Sequence, residues 1–172
     1  MHDPQTVFTL GARAGALLKS RGETIAVAET SAGGLICASL LAVPGASAYF
    51  IGGAITYSKH AVTALAGIEI AQLRAERIRS STEPYAARLA AAIRAKHAAA
   101  GEITWGLAES GAAGPVGNGY GDPAGHSCLA VSGPVERAAT LRTGQADRAA
   151  NMWLFAEAAL ALLIEALHTA PR

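Results

Sequence analysis

Apolar side chains recur every three or four residues near the start of the chain, at Val7, Phe8, Leu10, Ala14, Leu17 and Leu18. This spacing predicts a helix over 5–20. Lys19 and Arg21 at its end, with Gly22 beyond, suit a helix C-terminus. The period then changes. Residues 24–28, Thr-Ile-Ala-Val-Ala, predict a short buried strand, which ends in the turn Glu29-Thr30-Ser31-Ala32-Gly33-Gly34. A second helix is predicted over 35–42, stopping before Pro44-Gly45. A strand follows over 50–57, its glycines implying close approach of a neighbouring backbone. Two short helices, 60–66 and 69–78, are split at Gly67. Ser81-Thr82-Glu83-Pro84 opens a long helix through Lys96, with Pro84 in its first turn.

A third strand is predicted over 103–108. The glycine-rich stretch 109–125 is the longest irregular segment, and such a loop in a small domain usually has a function. Two strands, 126–131 and 137–141, flank Gly133-Pro134 and read as an antiparallel hairpin. The last helix covers 147–167. Strands alternating with helices predict an α/β fold, a three-layer α/β/α sandwich, and the late hairpin makes its sheet mixed. With 172 residues and no repeat or linker, the expectation is a single domain over 1–172.

Composition narrows the functions. Half of the residues are hydrophobic (51%) but only 5% are aromatic, so the core must be built from Ala, Leu, Ile and Val. A formal charge of +1 leaves no basic surplus to neutralise a run of phosphates, which argues against a nucleic-acid partner. Cys37 and Cys128 sit in apolar segments and read as buried free thiols. The Cys and His residues form no metal-ligand spacing, so neither a metal nor a cofactor is expected. The first residues lack the basic and apolar regions of a signal peptide. No apolar run reaches the roughly 18 residues of a membrane span. The longest candidate, Met152–Leu167, carries Glu157 and Glu165. A cytoplasmic protein without membrane association is expected. Its Ala-rich helices and low charge fit a homo-oligomer.

The turn at 29–34 is the first candidate for chemistry. A helix N-terminus has free N–H groups and a partial positive charge, and glycines let a ligand approach them. Thr30 or Ser31 would place a hydroxyl near the N-cap, as a nucleophile beside an oxyanion hole or as a simple cap. The spacing matches neither a dinucleotide fingerprint, a P-loop nor a nucleophile elbow. His126, beside the glycine-rich loop, is a candidate general base. Asn151 is a candidate reader of a ligand amide, and Asp122 of a hydroxyl or a cation. Glu109 and Ser110 end a strand at the loop, where open α/β sheets place ligands.

Ala28-Glu29-Thr30-Ser31-Ala32-Gly33-Gly34 resembles the Ala-Glu-Ser-Cys-Thr-Gly-Gly motif of the CinA C-terminal domain family, which includes nicotinamide-nucleotide amidases. Val43-Pro44-Gly45-Ala46-Ser47 is similar to that family's Val-Pro-Gly-Ser-Ser. Gly53-Ala54-Ile55-Thr56-Tyr57-Ser58 resembles Gly-Phe-Val-Thr-Tyr-Ser, and Ser110-Gly111-Ala112-Ala113-Gly114-Pro115 resembles Thr-Gly-Ile-Ala-Gly-Pro. Pro123-Ala124-Gly125-His126 falls where the family has Pro-Val-Gly-Thr. These matches hold their order and spacing over roughly residues 5–168.

The resemblance implies hydrolysis of nicotinamide mononucleotide to nicotinate mononucleotide and ammonia. It places Thr30 at the family's nucleophilic serine, with Ser31 adjacent, and Tyr57 at its tyrosine. The family's activating lysine falls on Val62, which leaves Lys59 as the nearby replacement. Backbone N–H groups at Ala32, Gly33 and Gly34 would bind the oxyanion. Glu29, Ser110, Gly111, Ala113, Gly114, Asn118, Asp122, His126 and Asn151 complete the expected ligand set. Asp122 stands where the family's loop has a lysine. The partner expected is a small molecule of the nicotinamide-nucleotide kind. Two alternatives stay open: a related hydrolase of another amide or ester, and a non-catalytic ligand-binding module.

Overall fold

A computed structural model describes residues 5–98 and 101–171. Five strands form one mixed sheet: β1 (Ile25–Glu29), β2 (Phe50–Ile55), β3 (Trp105–Ala112), β4 (His126–Ser132) and β5 (Arg137–Arg142). Their order is β2-β1-β3-β4-β5. β1 runs parallel to β2 and β3, whereas β4 is antiparallel to both β3 and β5. Helices cover both faces, as the alternating pattern predicts. α1 (Gln5–Arg21), α2 (Leu35–Leu41) and α6 (Arg148–Thr169) lie on one face. On the other lie α3 (Lys59–Ala61), a π-helical turn (Val62–Ala66), α4 (Ile70–Ala75) and α5 (Glu83–His97).

The two faces carry different side chains because strand residues alternate. Ile25, Val27, Leu107, Leu129 and Trp105 pack against α1, α2 and α6 through Leu18, Ile36, Phe155, Leu160 and Leu163. Each such fully buried side chain is worth about 1.5–3 kcal/mol. The opposite face offers mostly small residues, Ala26, Ala28, Ala108 and Ala130, to Tyr85, Leu89 and Ile93 of α5. Small residues let α5 sit close to the sheet. A Cβ at Gly106 would come within 2.0 Å of the Ala90 carbonyl oxygen.

The structure alters three expectations. β3 runs to Ala112, because Glu109, Ser110 and Gly111 pair with Leu129, Cys128 and Ser127 of β4, so the irregular loop is only 113–125. The N-cap of α2 is Gly34, with φ 103° and no side-chain cap, and not Thr30 or Ser31. α6 spans 22 residues and is the one described helix long and apolar enough, by length and composition, to cross a bilayer. Its apolar face is core: Phe155, Ala159, Leu160 and Leu163 are fully buried under the sheet. Both cysteines are free. Burial, with Glu29 nearby, pushes the Cys37 thiol well up, which keeps it protonated.

Topology places the site. From β1 the chain crosses to β2 through α2 on one face, and from β2 to β3 through α5 on the other. β2 and β3 flank β1 on opposite sides, so the connections part between the C-terminal ends of β1 and β3. A crevice opens at such a switch point in open α/β sheets.

Candidate active site

A cleft of about 310 Å³ lies at that switch point. The ends of three parallel strands bound it: Thr30 and Ser31 after β1, Thr56 and Tyr57 after β2, Ser110 and Gly111 within β3. Ser58, Lys59, Val62 and Ile70 form a second wall, and Ser80, Ser81 and Tyr85 a third. Asn118 and Tyr120 reach it from the loop. The cleft thus unites Thr30, Ser31, Tyr57, Lys59, Ser110, Gly111 and Asn118 of the expected set. Thr56, Ser58, Ser80, Ser81, Tyr85 and Tyr120 were not foreseen. The Ser80-Ser81-Thr82 run was the available signal, but it reads as a helix cap, and Thr82 is one: its hydroxyl accepts the Tyr85 N–H at 3.3 Å.

Two buried carboxylates shape the 29–34 turn. Glu109 Oε2 accepts the N–H groups of Thr30 (3.0 Å) and Ala32 (2.8 Å), while its Oε1 accepts the Ser127 hydroxyl (2.9 Å). Burial raises the Glu109 carboxyl to about 7, against the opposing pull of these donors. Glu29 accepts the N–H groups of Ile36 (3.2 Å) and Cys37 (3.0 Å), supplying the negative charge that the start of α2 favours. Glu29, expected among the ligand contacts, is therefore fully buried and caps a helix.

The oxyanion donors expected at 32–34 are largely engaged. The Ala32 N–H serves Glu109, and the Gly33 N–H donates to the Thr30 carbonyl at 3.2 Å. Ala32 is a core residue. Gly33 and Gly34 have φ of 68° and 103°, and a Cβ on Gly33 would strike Met152 Cε at 2.7 Å. These glycines make a tight turn packed on α6 and do not line the cleft.

The loop beyond β3 is clamped from α6. Fully buried Asn151 donates to the carbonyls of Ala113 (2.7 Å) and Gln145 (2.9 Å) and accepts the Thr143 hydroxyl (2.6 Å). Arg148 donates to the Gly114 carbonyl (2.8 Å) and to the Tyr57 hydroxyl (3.2 Å). Asn151, Ala113 and Gly114 thus hold the loop and stand outside the cleft. Asn118 lines the cleft, but its amide already bonds Asp122, and its carbonyl accepts the N–H groups of Tyr120 and Asp122. Asp122 is fully occupied too. Its carboxylate makes a two-pronged pair with Arg79, at 2.6 and 2.9 Å, which holds it down at about 2.

His126 stands outside the cleft lining. Its Nε2 donates to the Ser81 carbonyl at 2.9 Å, and the ring is buried. The Ser81 carbonyl also receives the Cys128 thiol at 3.3 Å. Together they fix Ser81 at φ 58°, a left-handed conformation that a serine adopts only when held.

Among the described residues, what remains in the cleft is hydroxyl chemistry with one cation, Lys59. Ser31 Oγ donates to the Gly111 carbonyl at 2.6 Å, and Thr30 Oγ1 to the Glu109 carbonyl at 3.2 Å. Both protons point to backbone, and the oxygen lone pairs remain to accept from a ligand. Among the described residues, no hydrogen bond joins Lys59 to either hydroxyl. Val62, only 3% exposed, makes an apolar patch where the resemblance expects a lysine. Among the described residues, no carboxylate or histidine lines the cleft. Among the described residues there is also no group of three or more metal-ligating side chains.

A three-layer α/β domain with its cleft at the switch point defines the class, and comparison with known proteins fixes the family. The model of the CinA C-terminal domain matches residues 8–167, and the chain belongs to this family. A CinA-like protein of Synechococcus sp. (strain CC9902) is 40% identical over 125 residues, 73% of this chain and 28% of that protein. One from Desulforapulum autotrophicum is 36% identical over 158 residues, covering 91% of this chain and 36% of the relative. The chain therefore spans about a third of the length of these relatives. Among solved structures, a competence-damaged protein (CinA) superfamily protein from Klebsiella pneumoniae superposes with a TM-score of 0.83 at 25% identity, covering 94% and 98% of the two chains. The Agrobacterium tumefaciens competence/damage-inducible protein shares the fold at a TM-score of 0.77 and 24% identity, over 95% and 96%.

Proposed function

We propose that this chain binds a small polar molecule with an anionic group in the switch-point cleft, and that it does so without hydrolysing it. The make-up of the cleft carries this reading. Thr30, Ser31, Thr56, Ser58 and Ser110 offer hydroxyls, Lys59 offers a cation with no carboxylate partner among the described residues, and Val62 stands where the activating lysine of the resemblance falls. Hydroxyl acceptors suit an amide or a sugar, and a single amine suits an anion. Nicotinamide mononucleotide has all three features and is the ligand to try first. It is expected to raise the melting temperature in a dose-dependent way, as any ligand of the folded state does. Ser31→Ala is expected to reduce that rise. No shift at about 100 times the Kd of an ordinary micromolar ligand overturns the reading.

A second reading, amidohydrolysis of the same nucleotide, is favoured by Lys59 lining the same cleft as both hydroxyls. A neutral Lys59 amine would take the Thr30 proton as Oγ1 attacks the carboxamide carbon. The C–N bond would break, ammonia would leave with that proton, and water would hydrolyse the resulting ester to the carboxylate. Ammonia release that stops in Thr30→Ala supports this reading. Binding without ammonia supports the first.

A further inference from the structure

Tyr120 lies near the tip of the loop after β3 and lines the main cleft, yet it stays 49% exposed. Its flanks are bare: a Cβ on Gly119 or Gly121 would meet nothing within 4 Å. Its backbone is fixed all the same. The Tyr120 N–H donates to Asn118 Oδ1 (3.0 Å), the Asn118 N–H donates to the Asp122 carbonyl (3.0 Å), and Asp122 is tied to Arg79. The Arg79 head lies over the ring, 5.9 Å from its centre. Arg79 does not line the cleft but a side hollow that Tyr120 also borders, so the guanidinium backs the ring and leaves its cleft side open. Among the described residues, no other ring lies against Tyr120. The other two tyrosines of the cleft are engaged: Tyr85 is packed in the core, and the Tyr57 hydroxyl accepts from Arg148. Val62 and Ile70 give the same cleft an apolar wall.

We infer that Tyr120 is a specificity-determining platform that selects a flat, uncharged ring, which stacks on its open side against the wall of Val62 and Ile70. The inference rests on the binding reading above and gives the uncharged part of that ligand its chemical class. A bare tyrosine face attracts cations as well as rings. In this cleft, however, Arg79 already stands over the ring. Lys59, with no ion pair among the described residues, lines the same space. Among the described residues no carboxylate lines the cleft to offset a second positive charge. A neutral ring keeps the stacking and the apolar contact and escapes the repulsion. A pyridinium cation, the ring of nicotinamide mononucleotide, is by this argument a poorer guest than an uncharged ring of the same shape.

Two fragments isolate the ring: benzamide, which is neutral, and 1-methylnicotinamide, a cation of nearly the same shape. Each is titrated at millimolar concentration and followed by backbone amide chemical shifts. Benzamide is expected to move the amides of Tyr120 and of residues 62–70, and to bind about tenfold tighter than the cation. Tyr120→Ala, a change at an exposed loop position, is expected to weaken benzamide about tenfold, while Tyr120→Phe, which keeps the ring face, should bind it as the wild type does. Equal affinity for the two fragments overturns the selection. Unchanged benzamide affinity in Tyr120→Ala overturns the platform, as does the absence of shifts at these residues with both fragments. Neither fragment carries an anionic group, so the result separates from the melting test of the binding reading. Nicotinamide mononucleotide that binds beside silent fragments upholds that reading and overturns the platform. Fragments that behave as expected beside a nucleotide that does not bind support the platform and remove that nucleotide as the ligand.

Discussion

Glu109 does the work the sequence had assigned to a helix N-terminus. It gathers the Thr30 and Ala32 N–H groups and the Ser127 hydroxyl around one buried carboxylate. Its pKa is raised from 4.5 to about 7, so the folded state holds a proton that the unfolded chain has released between those values. The Glu109 contribution is full below about pH 4.5 and is lost as pH rises through 7, by an amount on the order of 3 kcal/mol. Glu109→Gln keeps the shape without the titration. Melting temperatures measured from pH 5 to 8 are expected to fall less steeply in Glu109→Gln than in the wild type. Parallel slopes would assign the pH dependence elsewhere. Thr30 and Val62 set the second residue-scale expectation. The pair Thr30→Ser and Val62→Lys is expected to release ammonia from nicotinamide mononucleotide faster than the wild type, because it supplies the less crowded nucleophile and a base in the cleft. No gain from a folded double variant would mean that the chemistry needs more than these two side chains.

Between elements, the decisive contacts are close approach and buried polar clamping. β3 and α5 touch through Gly106 and Ala90, where an added methyl meets a backbone oxygen at 2.0 Å. Gly106→Ala must push the helix off the sheet, and a loss of about 1–3 kcal/mol or more is expected in urea unfolding. Asn151 joins the start of α6 to the loop after β3. Asn151→Ala strips partners from two carbonyls and one hydroxyl, and a loss of about 2–3 kcal/mol is expected in the same measurement. Such a loss with ligand affinity unchanged would separate clamping from ligand reading, the role the sequence suggested for this residue.

Over the whole molecule, periodicity was enough for every strand and the four longest helices, because each helix buries one face against the sheet while the short strands break the helical period. The end of β3 was missed because Glu109, Ser110 and Gly111 read as loop, while pairing with β4 decides their state. The cleft was half legible. Thr30, Ser31, Tyr57, Lys59 and Ser110 stand out by type and spacing. Ser80, Ser81 and Tyr85 belong to it only because β3 follows α5 back beside β1, a fact of topology. Buried Glu29, His126 and Asn151, and half-buried Asp122, looked like ligand contacts because a sequence displays polarity and hides the partner that satisfies it. That long-range character has a kinetic side. Thr30 and Ser31 hydrogen-bond to residues 79 and 80 positions further along the chain. The amide hydrogens of Thr30 and Ala32 should therefore exchange with solvent only when β1 and β3 separate, among the slowest in the protein. Their exchange clock would register how often the site ceases to exist.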